Sequence, residues 1–182
     1  MKLLKNRAFA ALVMVVVILI SFLASGHRAL ARERDKVSDL FYNGELGDGV
    51  GIAYDLDTIA VCCGNLVTVA SRYLSADNSA LSALNELRSE MAGAATISEK
   101  AKCFSRIDSV VMDVAEALDG TNITSTDFNL FYGECVDIDA AQQRIKLDSY
   151  NTAARQFNDS LSGQPAAFIA ALTGIAEAEI FH

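Results

Sequence analysis

Apolar residues run from Ala8 to Ala24 with no charge and only Ser21 as a polar interruption; beyond them they recur every third or fourth position. The uncharged run holds seventeen residues. As a helix it reaches about 26 Å, a little under a ~30 Å hydrocarbon core, and it predicts a transmembrane helix over 8–24. Leu30, Val37 and Leu40/Phe41 keep one helical face past the run, so the same helix is expected to continue to about Tyr42. Residues 43–51 hold four of the eleven glycines and predict a flexible connection. Leu56, Ile59/Ala60, Cys63, Leu66/Val67, Ala70 and Tyr73/Leu74 then mark an amphipathic helix.

Asp77-Asn78-Ser79 reads as a break, after which Leu81, Leu84, Leu87 and Met91 resume the period. Thr96-Ile97-Ser98-Glu99 has the form of a capping box. The helix it opens carries Ala101, Phe104, Ile107, Val110/Val111, Val114 and Leu118 on its apolar face and ends near Gly120. Ser125 or Thr126 caps the next helix, whose stripe starts as Phe128, Phe131, Cys135, Ile138 and Ile145. It shifts to Leu147, Tyr150, Ala154, Phe157 and Leu161. Read as one element this is roughly 36 residues, or ~54 Å. Gly163-Gln164-Pro165 stops it before a short apolar helix from Ala166 to about Leu172. No stretch alternates with period two long enough to predict a strand. The expected fold is all-α: an N-terminal transmembrane helix followed by an antiparallel, up-and-down bundle of three to four long helices. The expected division is a membrane anchor over 1–28 and a helical bundle over 29–182.

Charge sharpens this division. Residues 1–36 carry a net +5 and the remainder −13, within 182 residues of net charge −8. So acidic a body argues against nucleic acid, whose binders neutralise phosphate with Lys and Arg. The basic start and Ala29-Leu30-Ala31 also resemble a cleavable signal peptide. The long apolar run, the crowding by His27 and Arg28, and the uninterrupted helical period favour a retained anchor. Lys2, Lys5 and Arg7 before the span nearly balance Arg28, Arg32, Arg34 and Lys36 after it, so the positive-inside rule tilts only weakly to a cytoplasmic body, while the signal-like layout tilts the other way and the side stays open.

The chemistry expected from side chains is sparse. HExxH, GxSxG, Walker A and CxxC patterns are absent from the sequence, and the two histidines sit beside the membrane span and at the last position. The Gly47–Gly51 stretch lacks the preceding strand and spacing of a phosphate loop. Cys62 and Cys63 are adjacent, with Cys103 and Cys135 distant. They are expected as buried thiols, the alternatives being a disulfide between helices and a metal or catalytic role. The pairs Asp55/Asp57 and Asp137/Asp139, with Asp108, Asp113 and Glu116, read as solvated acidic faces. A two-helix carboxylate centre would require Glu-x-x-His pairs, which the sequence does not contain. No catalytic, cofactor or metal residue is assigned.

Tyr150-Asn151-x-Ala153-Ala154-Arg155-x-Phe157-Asn158 resembles the Tyr-Asn…(Tyr/Phe)-Asn signature of the LemA family. Gln164-Pro165-Ala166 and Ile180-Phe181 are similar to that family's Phe-Pro turn and terminal aromatic. Leu30-x-x-x-Arg34-Asp35-x-Val37 is similar to the segment following its membrane helix, and Cys62-Cys63-Gly64-Asn65-Leu66-Val67 to its Leu-Ile-Pro-Asn-Leu-Val. Gly64 replaces a kink-forming proline, Thr58-Ile59 stands where an Arg-Arg pair is common, and Gln164 replaces the Phe before Pro165. The resemblance implies a membrane-anchored antiparallel bundle with no established catalysis. Its signature residues here are Arg34, Val37, Asn65, Leu66, Tyr150, Asn151, Arg155, Phe157, Asn158 and Pro165. Tyr150 and Phe157, seven apart, are expected in the core, and Asn151 and Asn158 are expected to hydrogen-bond backbone carbonyls across helices.

The function expected is a single-pass cell-membrane scaffold that touches lipid through residues 8–24 and binds protein partners. Two alternatives stay open: an envelope binding protein released by cleavage after Ala31, and an envelope enzyme working through carboxylates.

Overall fold

The computed structural model describes residues 7–181; Lys2 and Lys5 of the basic flank, and the terminal His182, lie outside them. The described residues form helices and turns, with no strand among them. In chain order the helices are α1 (Arg7–Asn43), α2 (Ile52–Ala70), α3 (Ser79–Gly93), α4 (Ile97–Phe104), α5 (Ile107–Asp119), α6 (Ser125–Leu147), α7 (Tyr150–Ser162) and α8 (Ala166–Thr173). The all-α class is as the periodicity predicts.

Among the described residues, two helices are long and apolar enough to cross a membrane, and their environments differ. The most apolar window of α1 has mean hydropathy 2.7 and none of it is buried, whereas 44% of the corresponding window of α2, at 1.3, lies inside the protein. From Leu12 to Ile20 every large apolar side chain of α1 is exposed. α2 is a core helix, with Ile59, Cys63 and Leu66 fully buried.

The chain divides into two compact units, each built from segments far apart in sequence. One comprises the chain as far as Ser38 with Thr152–Ala178. In it Val37, Ala154, Phe157, Leu161, Ile169 and Ala170 are buried. Gly26 of α1 lies so close to Ile169 of α8 that a Cβ there would overlap the isoleucine side chain. The short apolar helix is thus seated on α1 by one face, leaving Phe168 and Leu172 exposed.

The other unit comprises Asp39–Asn151 with the chain from Glu179 onward. Here α2 packs on α3 and α6, and α3 on α4 and α5. Leu81, Leu84, Leu87 and Met91 of α3 are buried, as are Ile107, Val110, Val114 and Leu118 of α5. Asn78 caps α3 by accepting from the N–H groups of Ala80 and Leu81, and the Thr96–Glu99 capping box is formed at α4. The glycine-rich stretch is a hydrogen-bonded turn: Gly44 sits at φ +69°, and a Cβ on Gly51 would meet the carbonyl oxygens of Leu40 and Phe41 within 2.7 Å.

Several expected features are corrected. The helix expected from Thr96 to Gly120 is broken at Ser105–Arg106. There the Ser105 hydroxyl donates to the Lys102 carbonyl, and the Arg106 N–H reaches back three residues to Cys103. The ~54 Å helix expected from Ser125 is two helices. Asp148 is extended (φ −66°, ψ 143°), and its carboxylate accepts from the Tyr150 N–H at 2.7 Å, starting α7 afresh. The displaced stripe at Leu147 was the sequence trace of this break, and Leu147 is 84% exposed rather than buried. Phe128 is also exposed, stacked on Tyr132 at 6.5 Å. α2 ends at Ala70, short of Tyr73 and Leu74, but it runs unbroken through Gly64.

Candidate functional site

The most chemically furnished region is the seam between α2 and α6. Asp55, in the first turn of α2, takes both Nε (2.8 Å) and Nη2 (2.6 Å) of Arg144 from the last turn of α6. At the other end Arg72, just beyond α2, pairs with Asp127 in the first turn of α6 at 2.6 Å. The Tyr73 hydroxyl also donates to Asp127. Midway, Asn65 Nδ2 donates to Glu134 Oε1 at 3.0 Å. As the residue number climbs along α2 it falls equally along α6, so these two helices run in opposite directions. Acid at a helix N-terminus and base at a C-terminus also suit the helix dipoles. Asp55 is 5% exposed, which corrects its expected place on a solvated acidic face.

The same register sets Cys62 across from Asp137, with Glu134 one turn away on α6. The thiol sulfur of Cys62 and the carboxylate oxygens of Glu134 and Asp137 lie within 4.8 Å of one another. Cys62 is buried, Glu134 half-buried and Asp137 exposed. Burial pushes the Cys62 thiol up to about 12, helped by Glu134 and then Asp137. Burial likewise raises Cys63 and Cys135 to about 11, so these thiols are poor nucleophiles at neutral pH. All four cysteines are free thiols. Cys63 is buried as expected, whereas Cys135 is only partly so. Cys62 and Cys103, which the stripe pattern did not single out, are buried as well.

The signature residues divide between the two units. In the unit holding α2–α6, Asn151 grips the backbone of Phe181 with both ends of its amide, Nδ2 to O at 2.6 Å and N to Oδ1 at 2.8 Å. The Tyr150 hydroxyl donates to the Glu179 carbonyl at 2.6 Å, and burial holds the phenol protonated by raising it to about 12. The Glu179 carboxylate in turn accepts from the Ser98 N–H at the start of α4 (2.8 Å). Tyr150, Phe41, Phe181 and Phe104 form a chain of ring contacts at 5.2–5.9 Å. In the other unit Asn158 grips Ala178 in the same two-ended way, at 2.9 and 2.7 Å. The asparagines were expected to bond carbonyls of other helices. They hold instead the non-helical tail after α8, and they bind its N–H groups as well as its carbonyls.

Phe157 and Leu66 are buried as expected, and Val37 is 7% exposed. Arg34 and Arg155 are exposed, and Pro165 immediately precedes α8. Asn65 is exposed but engaged with Glu134. Asp108, also expected on a solvated face, accepts from Gln142 at 2.7 Å.

Comparison with protein-family models, with curated protein sequences and with solved structures returns no match for this chain. Functional inference therefore rests on the geometry just described.

Sequence reasoning missed two arrangements. The Cys62–Glu134–Asp137 group joins residues more than seventy positions apart, and only the α2–α6 register brings them together. The tail grip had a sequence signal in the seven-residue spacing of Asn151 and Asn158, but the segment they hold has no periodicity of its own.

Proposed function

We propose that this protein is a single-pass membrane-anchored scaffold of the LemA type, an antiparallel helical bundle that binds protein partners and performs no catalysis. The observation that carries the reading is the first half of α1, where a run of large apolar side chains is exposed on every face of a helix. A helix apolar all round is stable only inside a protein core or a bilayer. α1 continues unbroken through Ala29-Leu30-Ala31, which supports retention of the anchor over cleavage after Ala31. The opposed α2–α6 pair supports the bundle. The two-ended grip of Asn151 and Asn158 on the tail gives the family-like residues a structural task. The exposed row Phe128, Tyr132 and Val136 on α6 offers the kind of aromatic surface that partners use.

The test is protease protection on intact cells and spheroplasts, with a tag added after His182 and mass readout of the N-terminus. The expected result is a full-length chain that stays with the membrane through an alkaline wash. Recovery of a soluble chain beginning at Arg32 would replace this reading with that of a released envelope protein.

A further inference from the structure

We propose that Cys62, Glu134 and Asp137 bind a thiophilic divalent cation of the zinc class across the α2–α6 seam. The inference goes beyond the scaffold reading and does not depend on it.

Ligand type narrows the cation. A thiolate disfavours magnesium and calcium, which take oxygen donors, and one sulfur with two carboxylate oxygens suits a borderline-soft ion. Spacing fits as well. Zn–S and Zn–O bonds of about 2.3 and 2.1 Å at tetrahedral angles put ligand atoms roughly 3.5 Å apart. The three donor atoms already lie within 4.8 Å of one another, so side-chain rotation alone closes the difference. Glu134 and Asp137 are three apart on α6 and therefore share a face, while Cys62 stands opposite on α2. All three sit inside helices and not on loops, on a pair of elements already pinned at both ends by Asp55–Arg144 and Arg72–Asp127.

A supporting contact comes from outside the ligand set. Asn65 holds Oε1 of Glu134 at 3.0 Å, which orients that carboxylate. Outer hydrogen bonds of this kind orient metal ligands. The two ends of the group also differ: Cys62 is 5% exposed, whereas Asp137 is on the surface. The sulfur anchors the ion from the protein side, and solvent reaches it past Asp137. Three protein ligands with a fourth position open to water describe an exchangeable site, unlike the closed four-ligand sites that serve only structure. Because the ligands come from both helices, the ion ties α2 to α6 and stabilises the folded form by mass action.

The experiment uses the full chain in detergent, reduced and stripped with a chelator, then titrated with Co²⁺ or Cd²⁺. A thiolate-to-metal charge-transfer band is expected to saturate at one ion per chain and to be displaced by Zn²⁺. Cys62→Ser should abolish the band. Asp137→Asn, at an exposed position that leaves packing intact, should weaken binding at least tenfold, and Cys103→Ser should leave it unchanged. Circular dichroism checks that Cys62→Ser folds; if it does not, the tenfold loss in Asp137→Asn decides the matter. No band, unaltered affinity in Asp137→Asn, or a band that survives in Cys62→Ser and disappears in Cys63→Ser or Cys135→Ser would overturn the proposal.

Discussion

Asp55 has the least solvent of the paired acids, and its partner Arg144 is half-exposed. The asymmetry governs what mutation does. Removing the arginine leaves a buried carboxylate with its charge uncompensated, whereas removing the acid leaves a cation that water can still solvate. Arg144→Met is therefore expected to destabilise by about 1–3 kcal/mol, and Asp55→Asn by less, in denaturant unfolding followed by helical circular dichroism. Nothing in the sequence around Asp55 distinguishes it from Asp57. The two differ because they are two positions apart on a helix, so that one points to α6 and the other away. The identity of a buried acid depends on where its neighbour helix lies, and the local pattern does not carry that. Cys62 was illegible for the same reason. The apolar period marked Cys63 as the inward residue, but a second helix packed beside α2 buried its neighbour too.

The elements themselves were largely legible, because each is amphipathic and several carry their own punctuation. Asn78 and the Thr96–Glu99 box are local signals, and local signals survive folding. The breaks at Ser105–Arg106 and Asp148 were not legible as breaks. Neither has a Gly or Pro, and each is stabilised by a side chain bonding to backbone, which helix-friendly composition conceals. The capping box also yields a pH dependence. The Glu99 carboxylate accepts from the N–H groups of Thr96 and Ala95, and these hold it below its ordinary range. A carboxyl with a depressed folded pKa contributes stability above its unfolded value of about 4.3 and loses it as pH falls through the folded value. The melting temperature of the native chain is expected to exceed that of Glu99→Ala at neutral pH. The two should converge on acidification, and a difference that persisted at pH 2 would show the carboxylate charge to be irrelevant.

At the scale of the whole molecule, what the sequence concealed was the return of the chain's end. The tail after α8 has neither period nor cap, yet Phe181 is buried among Phe41, Tyr150 and Phe104, and Glu179 reaches the start of α4. Ending the chain after Ala178 is therefore expected to destabilise the α2–α6 unit by ~3–5 kcal/mol, the usual cost of emptying a buried aromatic site. Melting of the truncated chain checks this, and an unchanged transition would mean the tail is only draped there.

Both units need residues from near the two ends of the sequence: α8 is seated on α1, and Phe181 beside Phe41. Synthesis runs from one end, so the first helix emerges and, under the anchoring proposed above, enters the bilayer long before its partner residues exist. Until those later residues leave the ribosome, Gly26 of α1 faces no Ile169, and Phe41 waits for its partner ring. A chain cut short by a nonsense codon or a stalled ribosome would thus display apolar surface in both units, which is what quality-control proteases recognise. The interleaving makes the arrival of Ile169 and Phe181 the condition for covering Gly26 and Phe41, so these two spots of early surface stay open while the residues between them are made.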